Sequence, residues 1–203
     1  MSSNHLKRLA MPRSWPLPRK TTVWVTRPTP GAHALELCMP LTLVIRDVLG
    51  MAKTAREVRF ILHNELAMID GRVVKDTRRG VGLMDVLTLG EDNYRCVLDH
   101  NGRLQYRPIS ADEASWKVCR IEGKTTIKGG RTQLNLHDGR NIIVDDPAEY
   151  STGDSLKLNL PDQKILEHIR FGEGTRAYLI GGAHVGSTAD VKEYIVKRSS
   201  MPN

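Results

Sequence analysis

The chain has 203 residues, 40% of them hydrophobic and 26% charged, which is enough to bury a core without disulfides or metals. Its three cysteines, Cys38, Cys96 and Cys119, are widely spaced and form no C-x-x-C pair, which argues against a disulfide framework or a zinc site. No stretch approaches the roughly 18 apolar residues of a membrane span, and the formal net charge of +7 favours an anionic partner.

The positive charge is concentrated at the start of the chain. Residues 1–80 carry 14 Lys plus Arg against 6 Asp plus Glu, whereas residues 81–203 carry 16 against 17. Residues 1–35 contain six basic side chains and no acid. Scattered basic residues are compatible with a solubilising surface, but a block without acids favours nucleic acid, because clustered cations bind phosphates by releasing counterions.

Residues 1–39 are predicted to form an extended basic arm. Closely spaced prolines disfavour a packed element, so we expect the arm to become ordered on its partner. An exposed indole could stack on a base or anchor the arm to the protein. We assign Trp15 to the RNA-binding set, and we expect Trp24, in a strand-like segment, to anchor the arm.

Two helices are predicted next. Pro40 suits the first position of the first helix and Gly50 its end, with apolar residues between them at i, i+3, i+4 and i+7. Thr54 and Glu57 form a capping box that starts the second helix. The predicted buried stripe of this helix is Ala55, Val58, Ile61 and Leu62. The predicted basic face is Arg56, Arg59 and His63. The free amides at its N-terminus, beside Lys53, would suit a phosphate.

The rest of the chain is predicted to be rich in β-structure. Asp70-Gly71 separates two short β-prone runs and predicts a hairpin. From residue 83, short strands alternate with turns, and a second capping box at Ser110 predicts a short helix. The predicted strands cover residues 83–89, 94–98, 104–107, 116–121, 134–136, 142–144 and 156–160. Residues 175–196 add two strands around a glycine-rich turn.

These patterns carry a family resemblance. Residues 40–89 resemble the alpha-L RNA-binding domain, which occurs in several ribosomal proteins, tRNA synthetases and pseudouridine synthases. The flanking segments resemble the archaeal and eukaryotic small-subunit ribosomal family S-four-e (S4e). The segments that carry this second resemblance are residues 5–8 with Pro12 and Trp15, 82–86, 102–103 and 113–119.

The resemblance implies an α+β, multi-domain fold. An N-terminal arm at residues 1–39 would precede an alpha-L domain, a helix-turn-helix plus β-hairpin, at residues 40–89. A β-rich central domain would cover residues 90–170, and a small KOW-type β-barrel residues 171–203. After Gly186 the chain lacks the basic residue and second glycine typical of a KOW motif. It also stops at Asn203, earlier than the family pattern implies, which leaves two alternatives: a shorter variant, or a barrel whose closing strands are absent from this sequence.

The resemblance further implies a structural protein of the small ribosomal subunit in the cytoplasm. Its partners would be small-subunit ribosomal RNA and neighbouring ribosomal proteins, with no membrane, cofactor, metal or small-molecule substrate. The predicted RNA-binding residues lie on the arm, the second helix and the hairpin region: Lys7, Arg8, Arg13, Trp15, Arg19, Lys20, Lys53, Thr54, Arg56, Arg59, Arg72, Lys75, Arg78 and Arg79.

Two other functions remain open. One is an RNA-modifying enzyme resembling pseudouridine synthases, and the other is a KOW-type transcription or translation factor. Catalysis is disfavoured because the chain has no phosphate-binding loop, dinucleotide fingerprint or metalloprotease motif. The adjacent acids Asp145 and Asp146 precede Pro147, which is typical of a turn.

Overall fold

The computed structural model describes residues 5–195 as a mixed α/β protein dominated by short antiparallel strands. The elements are, in chain order, β1 (His5–Lys7), β2 (Trp24–Thr26), β3 (Cys38–Pro40), α1 (Leu41–Leu43, continued by a π-helical turn, Val44–Val48), α2 (Ala55–His63), β4 (Ala67–Ile69), β5 (Arg72–Val73), β6 (Gly80–Gly82), β7 (Val86–Leu89), β8 (Asp92–Leu98), β9 (Leu104–Ile109), α3 (Ala111–Ala114), β10 (Trp116–Thr126), β11 (Thr132–Leu136), β12 (Asn141–Val144), β13 (Ser155–Asn159), β14 (Ile165–Ile169), β15 (Arg176–Tyr178) and β16 (Thr188–Asp190).

The described part of the N-terminal arm is packed onto the protein. β1 pairs with β2, and Met11 and Trp15 are each only 2% exposed in the first apolar core. The Trp15 indole N–H donates to the Cys38 carbonyl at 2.8 Å, whereas Trp24 is 54% exposed. The arm therefore differs from the unpacked segment that its prolines predict, and the anchoring indole is that of Trp15 rather than Trp24. The arm is proline-rich, but the burial of its apolar side chains, Met11 and Trp15, stabilises its packed position.

The two predicted helices are present, with one change at the start of the first. Pro40 ends β3 and is the N-cap of α1 rather than its first residue, and the helix ends before Gly50, which has a φ of +68°. α2 begins after Thr54 as predicted. Its apolar face buries Val58 and Leu62 completely and Ala55 and Ile61 in part.

A five-stranded antiparallel sheet follows, with the order β5-β4-β7-β8-β9. The predicted hairpin turn is confirmed, because Asp70 and Gly71 join β4 to β5 with positive φ angles of 51° and 73°. The sheet continues across residue 89, where the sequence predicts a domain boundary. Its inner face, the helices and the arm form the first apolar core.

A second five-stranded sheet has the order β12-β11-β10-β13-β14 and a smaller core of its own. The first half of β10 pairs with β13 and the second half with β11, with an irregularity between Ile121 and Gly123. β14 is the strand of this sheet that the sequence did not predict. Alternate residues of β10 point inward, and they include the charged residue Lys117 as well as Cys119 and Ile121.

Lys117 lies at the centre of a buried ion cluster between the two sheets. Its ammonium group is 3.0 Å from Asp70, 2.5 Å from Asp85 and 2.9 Å from Asp138, and its side chain is 1% exposed. Arg140 also contacts Asp70 and Asp138, while His33 lies 2.9 Å from Asp85. Burial lowers the pKa of Lys117, but the three carboxylates outweigh it and raise that pKa above its usual value. The cluster therefore keeps a charged lysine inside the protein.

The last described strands, β15 and β16, form a two-stranded ribbon, and the ribbon and its turn contact the β8–β9 turn. The Tyr178 hydroxyl bonds to both the amide and the carbonyl of Leu98, at 2.8 and 3.1 Å. Gly186 has a φ of +79°, and a Cβ there would lie 2.6 Å from the Leu98 carbonyl oxygen. The glycine-rich turn thus meets protein backbone. Residue 196 of the predicted final strand, and residues 197–203 of the predicted barrel, lie outside the described residues.

Replacing the anchoring indole should destabilise the protein. Trp15→Phe removes the donor to Cys38 and leaves a buried carbonyl without its partner, which should lower the free energy of unfolding by about 1–3 kcal/mol. Trp24→Phe is the matched control, because its ring is half exposed. Urea denaturation measures both variants, and equal stabilities would contradict the assignment of Trp15 as the anchor.

The ion cluster predicts a larger effect. Lys117→Met keeps an unbranched side chain, one atom shorter, but leaves three buried carboxylates without their central cation, so it should cost about 3–5 kcal/mol of stability. Lys128→Met, at an exposed position, should change the free energy of unfolding by less than about 0.5 kcal/mol. The urea midpoint is the readout. If the Lys117→Met protein is as stable as the control, the Lys117 ion pairs add nothing to the free energy of unfolding.

Candidate nucleic-acid interface

A concavity lined by cationic and apolar side chains lies between the arm and the β8–β9 turn. Its volume is about 900 Å³. We call it the acid-free concavity, because its lining includes four cationic residues and no carboxylate. The lining residues are Arg13, Trp15, Leu17, Pro18, Arg19, Lys20, Thr21, Asn101 and Arg103. Its net positive charge makes it the better of two candidate phosphate-binding surfaces.

Arg8 holds the arm segment that lines this concavity, although it is not a lining residue itself. Its guanidinium is mostly buried and donates to the Pro18 carbonyl at 2.6 Å and to the Thr22 hydroxyl at 3.2 Å. Arg19 also bonds to the arm, with one guanidinium nitrogen donating to the Leu9 carbonyl at 3.0 Å. Arg8 and Trp15, both predicted to contact RNA, are thus buried supports of the arm rather than exposed contacts, because the arm is folded rather than extended.

The remaining cations of the acid-free concavity are available to an anion. Arg13, Lys20 and Arg103 are exposed, and within residues 5–195 the structure gives none of them an ion pair or a side-chain hydrogen bond. The second guanidinium nitrogen of Arg19, Nη2, is buried and has no hydrogen-bond partner among residues 5–195, so Arg19 adds positive charge rather than an exposed donor. Unpaired cations on a concave surface focus positive potential, which favours a phosphate. Lys7 is also exposed, on β1, but it does not line this concavity.

A second concavity, of about 580 Å³, lies beside the hairpin. Its charged lining residues are Asp70, Arg72, Lys75, Asp76, Arg79, Asp85, Lys117, Asp138 and Arg140. Four carboxylates therefore nearly offset five cations. Lys75 also pairs with Glu65 at 2.7 Å, and the Arg78 side chain does not line the concavity. The predicted hairpin cluster thus brings Arg72, Lys75 and Arg79 together, but on a surface with little net charge.

The basic face of α2 is exposed as predicted, and it carries an aromatic residue that sequence reasoning missed. Arg56, Arg59 and His63 are exposed, and Phe60, at the i+4 position from Arg56, is 67% exposed. An exposed aromatic ring among arginines suits contact with a base or ribose. The spacing of Phe60 from Arg56 could have indicated this, but aromatic residues in amphipathic helices are more often buried.

The predicted phosphate site at the start of α2 is occupied by the protein's own carboxylate. Glu57 accepts hydrogen bonds from the Lys53 amide at 2.7 Å and from the Thr54 hydroxyl at 3.0 Å, and these bonds lower the pKa of Glu57. These two bonds take up the Lys53 amide and the Thr54 hydroxyl, while the Arg56 and Arg59 side chains stay exposed beside them. Thr54 is thus a helix cap, as its own hydroxyl accepts the Glu57 amide, and the phosphate-binding role predicted for this end is corrected.

The described residues offer few other sites. Within residues 5–195, no group of three or more His, Cys, Asp or Glu residues is placed to hold a metal ion. None of the helices in that range is both long and apolar enough to cross a bilayer. The three thiols are buried, and burial raises the pKa of Cys38 to about 11, so it stays protonated near neutral pH.

Comparison with known proteins adds the family context. Residues 90–165 match the model of the ribosomal family S4e, and residues 2–36 match that of the RS4NT domain. The small ribosomal subunit protein eS4 of Methanothermobacter thermautotrophicus is 45% identical over 100% of this chain and 84% of its own length. Its counterpart from Methanosphaera stadtmanae is 44% identical with the same coverage. The crystal structure of the 30S ribosomal protein S4e from Thermoplasma acidophilum superposes with a TM-score of 0.73 at 35% identity, covering 81% of this chain and 85% of that one.

Removing two unpaired cations from the acid-free concavity should change how RNA binding depends on salt. Arg13→Gln combined with Lys20→Gln should weaken binding to a structured RNA. It should also reduce the slope of log affinity against log salt by about 1.4–1.8, since each lost phosphate contact accounts for about 0.7–0.9. Lys128→Gln with Arg131→Gln removes the same charge from exposed positions that do not line the concavity. Equal slopes for the two double variants would contradict phosphate contact at the concavity.

Proposed function

Because the chain belongs to the ribosomal S4e family, we propose that it is a structural constituent of the small ribosomal subunit, which binds ribosomal RNA and stabilises its fold during assembly and translation. The observation that carries this proposal is the acid-free concavity, which is lined mainly by the basic N-terminal arm. The relative from Methanothermobacter thermautotrophicus, which matches 100% of this chain, is named as a small-subunit protein. Its location would be the ribosome in the cytoplasm, beside neighbouring ribosomal proteins.

The proposed role follows from the physics of folded RNA. A-form helices offer phosphates and 2′-hydroxyls more than readable base edges, so a protein recognises them by shape and charge. The acid-free concavity supplies unpaired cations for phosphates, and the exposed face of α2 supplies Arg56, Arg59 and Phe60. Together these surfaces would neutralise backbone repulsion where RNA helices approach one another.

We also propose the finer domain assignment. The order α1, α2 and the β4–β5 hairpin supports an alpha-L RNA-binding domain at residues 40–89, with its sheet extended by β8 and β9. The ribbon of β15 and β16 with its glycine-rich turn supports a KOW-like segment within residues 171–203. Since Gly186 packs on the Leu98 and Asp99 backbone, this turn supports the fold of the β8–β9 region.

The two alternative functions have less support. The relatives reported above are named as ribosomal proteins, not as modifying enzymes or as transcription or translation factors. An RNA-modifying enzyme would convert a base when incubated with RNA, and a free factor would associate with ribosomes only transiently.

Stable association with the small subunit is the central test. Tagged protein expressed in an archaeal host should sediment with small subunits through a sucrose gradient at about 0.5 M salt, because many contacts formed at once resist counterion competition better than a single contact does. A non-ribosomal RNA-binding protein carrying the same tag is the control. Recovery of the tagged protein only at the top of the gradient would overturn the proposal.

Charge reversal on α2 tests the second surface. Arg56→Glu with Arg59→Glu should weaken binding to small-subunit ribosomal RNA and flatten its salt dependence, because two proposed phosphate contacts become repulsive. The matched control is Arg120→Glu with Arg131→Glu, at exposed positions of the second sheet and its β10–β11 loop. If affinity and slope match those of the control, this helix face is only solvated.

A further inference from the structure

The acid-free concavity combines unpaired cations with an aliphatic wall, which is more than contact with an RNA backbone alone requires. We propose that it receives one unpaired nucleotide displaced from the stack of a folded RNA, with its phosphate on Lys20 and Arg103 and its base against Leu17 and Pro18. This inference rests on the proposed function, since the RNA supplies the nucleotide. It adds a specific ligand, an extruded nucleotide, to a surface otherwise assigned only by its charge.

The size of the concavity fits this ligand. Pockets that enclose small molecules have volumes of about 300–1,000 Å³, and the acid-free concavity, at about 900 Å³, lies within that range. A nucleotide that leaves the helix can place its phosphate between the two sides of the concavity. We call these sides its banks: one is formed by the arm and the other by the β8–β9 turn.

The cations line both banks of the concavity. Arg13, Arg19 and Lys20 come from the arm, whereas Arg103 comes from the β8–β9 turn beside Asn101. The acid nearest in sequence is Asp99, which accepts bonds from the His100 amide at 2.7 Å and the Asn101 side chain at 3.4 Å. Asp99 therefore fixes the turn and does not line the concavity. A phosphate between the banks meets cations from both sides.

The apolar wall predicts binding without base specificity. Leu17 is partly buried and Pro18 is exposed, so both present aliphatic surface, while Trp15 is too covered to stack freely. Every base has a flat apolar face that can lie on such a wall or on an arginine guanidinium plane. Since contact through the face does not read the base edge, any of the four bases should be accepted.

Both banks are held in place before any ligand binds. The arm is fixed by the Arg8 bonds to Pro18 and Thr22, and the turn is fixed by the Tyr178 bonds to Leu98. A preorganised site loses less conformational entropy on binding than a loop that must become ordered. The binding free energy that is not lost to ordering can then offset the cost of unstacking one base.

The test compares two hairpin RNAs with the same stem at the same salt concentration. One carries a single randomised nucleotide as a bulge, and the other is fully paired. The full-length protein should bind the bulged hairpin at least tenfold more tightly. Lys20→Gln with Arg103→Gln should reduce this ratio to below threefold, whereas Lys128→Gln with Arg131→Gln should weaken both hairpins equally and keep the ratio.

The outcomes separate this inference from the proposed function. Equal affinity of the unmodified protein for both hairpins overturns the extruded nucleotide but leaves RNA binding intact. An unchanged ratio in the Lys20 and Arg103 variant moves the site away from the acid-free concavity and also overturns the inference. Failure to bind either hairpin at low salt counts against the proposed function as well. If a polyglutamate peptide binds more tightly than both hairpins, the concavity is a protein-docking site.

Discussion

Three turns from distant parts of the chain meet at the ammonium group of Lys117. Asp70 comes from the β4–β5 turn, Asp85 precedes β7, and Asp138 comes from the β11–β12 turn. Burying an unpaired charge is prohibitive, so each group can be buried only when the others are in place. This mutual requirement fixes the second sheet against the first, and with His33 it also fixes the end of the arm.

The same cluster explains why only one of two arginine-rich surfaces suits RNA. Beside the hairpin, Arg72, Lys75 and Arg79 share a concavity with carboxylates that serve Lys117. At the arm, no carboxylate lines the concavity, so its cations are not neutralised by the protein. The number of basic residues is similar in the two places, and the acids decide the net charge. Counting lysines and arginines along the sequence therefore located the basic region but could not rank its surfaces.

Much of the fold could be predicted from local patterns, because local chemistry fixes it. The cap at Thr54, the Asp70-Gly71 turn and the alternating strands of both sheets each depend on a few neighbouring residues. The sequence failed where distant contacts decide. The packing of Trp15 requires the Cys38 carbonyl, and the burial of Lys117 requires three remote acids. The second bank of the concavity comes from Arg103, which is 83 residues after Lys20. The Thr54 cap was predicted, but the bond from the Lys53 amide to the Glu57 carboxylate was not.

The three buried cysteines divide between the two cores. Cys38 and Cys96 lie in the part of the protein built on the first core, and Cys119 belongs to the second, where its thiol is 3.5 Å from Asp138. Alkylating reagents need a solvent-accessible thiolate, so native molecules should resist modification until a core opens. Three natural reporters thus distinguish opening of either core alone from opening of both at once. The alkylation rates of the three cysteines therefore report whether the two cores unfold as one cooperative unit.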